Sequence, residues 1–107
     1  MSRNYTYSHY FKLLDEVNQR YDNVREGRSY DFETEIEPFL ANSVKIIEDI
    51  HHVDTDRRFT EPSKQQMIEI FEEVIMSCHA ERMSLRIFRE QTKYINIWLK
   101  HIEDNRL

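Results

Sequence analysis

The residues with types and spacing best suited to chemistry lie in Glu48-Asp49-Ile50-His51-His52. Glu48 and His51 are three apart, as are Asp49 and His52, so on a helix each carboxylate shares a face with an imidazole. That is the ligand spacing of carboxylate-bridged di-iron bundles. Such a centre needs a second Glu-x-x-His on another helix, and the chain has no other glutamate with a histidine three residues later. Glu48, His51 and His52 are therefore weak metal-ligand candidates. A solvated helix end, with imidazoles near the negative pole of the dipole, accounts for the same residues.

The remaining histidines, His9, His79 and His101, are scattered, and no spacing brings three of the five together. Cys78 is the only cysteine, so no intrachain disulfide can form, and its apolar neighbours read as core. Cys78 and His79 are adjacent, but neighbours on a helix point about 100° apart, which disfavours a thiol–imidazole pair. A single glycine leaves no Gly-rich phosphate loop. Arg82, Arg86, Arg89 and Lys93 form a basic stripe. It reads as a phosphate- or RNA-contacting face, or as a solvated face paired with acids of the second and third helices. Tyr5, Tyr30 and Trp98 exceed what a minimal core needs. They mark either a protein-binding patch or covers for the bundle ends.

These residues must be positioned by helices. Tyr7, Tyr10, Leu14, Val17, Tyr21 and Val24 recur at helical spacing, with Phe11 and Leu13 beside them. They predict a first helix over about 5–26, capped by Thr6 or Asn4 and ended at Gly27. Its tyrosines are expected at a rim, rings packed and hydroxyls wet. The stretch Tyr30 to Phe39 alternates apolar and acidic residues. With no partner strand in view, it reads as an irregular helix start kinked by Pro38. Asp31 is a candidate cap there, and Thr34-x-x-Glu37 has capping-box spacing.

Ile36, Leu40, Val44, Ile47 and Ile50 predict a second helix to about 52, with Phe39 and Ser43 broadening its face. Residues 53–60 are polar and aperiodic, a loop. Thr60 and Pro62 open a third helix with Met67, Phe71, Val74 and Cys78 inward and Ile68, Ile70 and Ile75 alongside. Leu85, Phe88, Thr92, Ile95, Leu99 and Ile102, with Trp98 beside them, mark a fourth. The heptad register from Met67 to Ile102 admits one helix of about 60 Å. A break at 79–83, with Ser84 as the next cap, is the preferred reading because it closes a compact monomer.

Composition narrows the rest. One domain is expected over the 107 residues, and with one glycine and two prolines the chain favours helix over sheet. The net charge of -5 is uneven: residues 31–80 carry 12 acids and 4 bases, while the flanking segments are mildly basic. That asymmetry suits the last helix lying against the second. An acidic domain does not favour nucleic acid or anionic membrane as a partner. No apolar run is long enough to span a membrane, and the first residues lack the apolar segment of a signal peptide, so cytoplasmic residence is expected.

Asp31-Phe32-x-Thr34-Glu35-Ile36-x-Pro38-Phe39, then Ser77-Cys78-His79 and Phe88, resembles the pattern of the YppE-like family. These are small helical-bundle proteins of Gram-positive bacteria, classed as a domain of unknown function. The resemblance implies a four-helix fold with a break before the last helix and cytoplasmic residence. It brings no catalytic residues.

The expectation is an all-α, four-helix up-down-up-down bundle, a monomer or weak homodimer without a cofactor. Its expected role is a non-enzymatic interaction module for a protein partner, docking on an exposed apolar or acidic face. The expected surface comprises Tyr30, Phe32, Glu33, Glu35 and Glu37. The alternatives are a metal-dependent bundle enzyme using Glu48, His51, His52 or other histidines, and a nucleic-acid-linked regulator using the basic stripe.

Overall fold

A computed structural model describes residues 5–107. The chain forms α1 (Tyr7–Arg25), α2 (Glu37–Ile50), α3 (Glu61–Ser77) and α4 (Leu85–Asp104), with a single π-helical turn at Phe32–Ile36 running into α2. Each helix packs on two neighbours in the ring α1–α2–α3–α4. This is an up-down-up-down bundle. Among the described residues there is no strand, and no helix is long and apolar enough to cross a membrane.

The first helix follows its periodicity. Tyr10, Leu13, Leu14, Val17, Tyr21 and Val24 are buried. Thr6 is the N-cap; His9 takes the acceptor role usual for glutamate, its Nδ1 receiving the Thr6 N–H at 3.0 Å. The alternative cap, Asn4, lies outside the described residues. At the other end Gly27 has φ +107°, and Arg28 N–H and Gly27 N–H donate back to the Asn23 and Val24 carbonyls at 2.9 and 3.0 Å. That is a Schellman closure, which a glycine makes without strain.

Tyr7 is half-buried, but two of the helix's tyrosines are not at a rim. Tyr10 and Tyr21 are fully buried, and their hydroxyls donate to Asp49 Oδ2 and to the Met83 carbonyl respectively. Tyr21 also stacks on Phe88, centroids 3.8 Å apart, which ties α1 to the start of α4.

The second helix departs from its expected face at Val44. Phe39, Ser43, Ile46, Ile47 and Ile50 face the core, whereas Val44 is 61% exposed. The buried Ser43 hydroxyl is satisfied by donating to the Phe39 carbonyl at 2.7 Å. The third and fourth helices bury the inward stripes expected of them, except that Leu85 is exposed; Ile70 and Trp98, expected alongside, are half-buried. They are separate: Ala80 and Met83 N–H close turns on Ser77 and Ala80, and Ser84 Oγ accepts from Ile87 N–H. Thr60 caps α3 as expected. The last helix does not lie against the second. It sits between α1 and α3, and Arg89 pairs with Asp22 of α1 rather than with acids of α2 or α3.

The 53–60 loop is more than a polar connection. Val53 and Phe59 are core residues, and Phe59 packs on Trp98 with centroids 4.9 Å apart. Asp56 holds the turn by accepting from Arg58 and Phe59 N–H groups, and its other oxygen meets His101 Nε2 at 2.7 Å. Lys64, only 6% exposed, reaches from α3 and donates to the His51 and Val53 carbonyls at 2.9 and 3.0 Å. These carbonyls follow the end of α2, where the helix itself supplies no donor. Lys64→Met keeps the aliphatic stem but strips both carbonyls of their donor. The expected loss is about 2 kcal/mol of unfolding free energy by urea titration, with helical content unchanged.

Candidate functional site

Two surfaces gather the residues of interest. The first is the bundle end where α1 finishes and α2 begins. Asp31 caps the π turn, its Oδ2 accepting from Thr34 N–H at 2.9 Å and Thr34 Oγ1 at 2.8 Å. Glu35 Oε1 returns the bond by accepting from Asp31 N–H at 3.1 Å. Thr34 is thus a donor to the cap, not a cap itself, and the reciprocal acid is Glu35 rather than Glu37. Hydrogen bonds from Thr34 lower the Asp31 pKa. The Asp31 N–H bond, then Arg28, does the same for Glu35.

Arg20 sits behind this turn, its side chain 14% exposed. Nε donates to Glu16 at 3.0 Å, and one terminal nitrogen donates to the Glu35 carbonyl at 3.4 Å and to His79 Nε2 at 3.0 Å. Its guanidinium carbon lies 4.1 Å from the Phe39 ring centroid and 4.8 Å from that of Tyr30. Arg28 also covers Tyr30, at 4.2 Å from the ring centroid, and pairs with Glu35.

Because a guanidinium only donates, His79 Nε2 must be an acceptor and the ring neutral. Burial, reinforced by the Arg20 charge, pushes the His79 pKa below its usual value. The imidazole also approaches Cys78, 3.6 Å from Nδ1 to Sγ. The expected angular separation fails because α3 ends at Ser77, and His79 belongs to the following turn. The contact does not activate the thiol. Cys78 is fully buried, points at the Ile75 carbonyl, and is raised by burial to about 12. A nucleophilic cysteine needs the opposite shift.

Of the hinge residues expected at an interaction surface, Tyr30 and Glu35 are half-buried and engaged by the arginines. Phe32, Glu33 and Glu37 are exposed, with Phe32 at 56%.

The second surface is a groove of about 390 Å³ between α2 and α3. Leu40, Ile47 and Ile75 form its floor and Val44 and Met76 its rim, while Glu48, His51 and Glu72 supply charge and polarity. Glu48 and His51 share this groove, as their spacing predicts. His52 lies with Asp49, Lys45 and Tyr5 in a separate cleft that Glu48 also borders. Among the described residues, no three His, Cys, Asp or Glu side chains converge to hold a metal ion. His79 and His101 occupy opposite ends of the bundle, each with its own partner.

The basic stripe is divided. Arg82 lies in the α3–α4 turn, Arg86 pairs with Glu90, Arg89 with Asp22, and Lys93 is exposed. Sequence reasoning passed over Arg20 and Lys64. The Glu16–Arg20 spacing of four, acid first, was the available signal for the former.

No protein-family model, curated protein or solved structure matches the chain.

His79 gives the bundle end a pH dependence. Its folded-state pKa lies below the ordinary 6.5, so the unfolded chain binds this proton more readily. The contribution is therefore neutral above about pH 6.5, turns destabilising as pH falls through it, and levels off below the depressed value. His79→Gln keeps an acceptor for Arg20 and removes the proton site. Urea midpoints measured from pH 7.5 down to 5 are expected to fall less steeply in the variant than in the parent.

Proposed function

We propose that the protein is a non-enzymatic, cytoplasmic protein-interaction module whose docking surface is the α2–α3 groove. The single observation behind this reading is that Val44 and Met76, each 61% exposed, stand beside an aliphatic floor on one face of the bundle. Isolated exposed apolar side chains are ordinary; a rim and floor of them in one concavity is the pattern of a binding surface. Three other groups weighed for chemistry have places in the fold. Cys78 is a buried thiol, His79 accepts from Arg20, and His101 holds Asp56.

The exposed part of the hinge, Phe32 with Glu33 and Glu37, is the competing surface. The two are separated by charge substitution. Val44→Asp with Met76→Asp changes exposed positions, so circular dichroism and Tm should hold. The doubly substituted protein is expected to lose the fluorescence enhancement that the parent gives to an apolar reporter dye. It should also lose every protein that the parent captures from a cell extract. Phe32→Asp should retain both. The reverse pattern would move the docking surface to the hinge and end the groove reading.

A further inference from the structure

We infer that the groove takes a basic amphipathic helix of a partner protein, an inference that rests on the docking role of the α2–α3 face. Three observations lead there.

The first is charge. Seven carboxylates and two lysines fall within α2 and α3, so this pair alone accounts for the net -5 of the chain. Within α1, acids and bases balance at three each; α4 has four bases against three acids. Of the two lysines, Lys64 is consumed at the end of α2, and Lys45 borders the other cleft. The carboxylates in the groove are Glu48 and Glu72, and among the described residues neither takes part in an ion pair. Two uncompensated carboxylates beside an apolar floor call for a ligand that brings both apolar side chains and positive charge.

The second is the kind of backbone the groove can accept. It is built from two helices whose main-chain groups are internally bonded, so there is no sheet edge to receive a strand. Its apolar lining is aliphatic or Met and contains no Phe, Tyr or Trp, whereas grooves for polyproline segments are lined by such aromatics. It has no arginine cluster to hold a phosphorylated or acidic motif. Of the recurring recognition modes, helix-in-groove remains. There, apolar residues at i, i+3 or i+4, and i+7 anchor the ligand.

The third is adaptability. The rim residue Met76 is unbranched and rotatable, which suits packing against side chains of varied shape.

The probes are three fluorescein-labelled helical peptides of equal length. One has a leucine stripe flanked by lysines, one the same stripe flanked by glutamates, and one the lysine composition with the stripe scrambled. Binding to the full chain is read by fluorescence anisotropy at low and high salt. The expected result is that only the basic amphipathic peptide binds well, more weakly as salt rises. Glu48→Gln with Glu72→Gln should reduce its affinity about threefold to tenfold and flatten the salt dependence. Val44→Asp with Met76→Asp should abolish binding.

Equal binding of the basic and acidic peptides, unchanged by the glutamine substitutions, would overturn the inference about charge and leave the docking role standing. Binding that survives Val44→Asp with Met76→Asp would overturn both. Failure of all three peptides to bind would overturn the helical occupant alone, since the dye and capture measurements judge the groove independently. Sedimentation of the parent chain covers the remaining occupant. A dimer that Met76→Asp dissolves would put a second copy in the groove and overturn the inference.

Discussion

The Arg20 guanidinium is the interaction on which one whole end of the bundle depends. A cation that is 14% exposed is costly unless its donors are used, and here they are met by Glu16, the Glu35 carbonyl and His79. Phe39 and Tyr30 offer their ring faces to the same group. These partners come from α1, the loop after it, the π turn, α2 and the turn after α3. One side chain therefore joins α1 to the π turn, to α2 and to the turn that follows α3. Each partner is constrained in return: the imidazole must stay neutral, and the chain before α2 must turn a carbonyl inward. The π turn is the local geometry that accompanies this arrangement.

The two ends of the bundle are closed by the same physical device with different groups. Helix ends leave carbonyls and N–H groups without intrahelical partners. A chain with one glycine has little access to left-handed turns, and side chains supply the missing bonds instead. Asp31, Thr60 and Ser84 accept at helix starts, Asp56 organises the loop before α3, and the Lys64 ammonium finishes α2. This explains why a composition poor in turn residues still gives four distinct helices. The 77–84 connection is the clearest case. It contains neither Gly nor Pro, yet Ser77, Ala80 and Ser84 end one helix and start the next.

Much of the fold was legible because apolar spacing on α1, α3 and α4 obeys a 3.6-residue period without interruption. The inward faces of those helices follow directly. On the second helix Val44 was misplaced because the alternation reaching Ile36 runs through the π turn at Phe32–Ile36, which no period of two or 3.6 describes. Extending a stripe back through Ile36 selects Val44, whereas the stripe that starts at Phe39 selects Ser43. Phe59 was hidden for a related reason. It follows five polar residues and has no periodic partner, and the Asp56 turn aims it inward. The candidate site was less legible than the fold. His79 and Arg20 are 59 residues apart in sequence, and no spacing rule connects them. The Glu48–His51 spacing was read correctly as one face, but that face belongs to an apolar groove.

The position of Val44 bears on why the groove exists. Burying a valine side chain is worth about 1.5–3 kcal/mol relative to leaving it exposed. The chain nonetheless places Ser43 in the core and Val44 outside, with Met76 across the groove equally exposed. Ser43 is tolerated because its hydroxyl is bonded to its own helix, so the core is neutral to this choice but gains nothing from it. Across the groove, Glu48 and Glu72 add charge of one sign to the most acidic pair of helices. Neither feature stabilises the free bundle: exposed apolar area is left in water and like charges are left unpaired. Departures from self-consistent patterning tend to gather where a protein meets something else. Here the two departures coincide in one concavity, and a ligand carrying apolar side chains and positive charge relieves both at once.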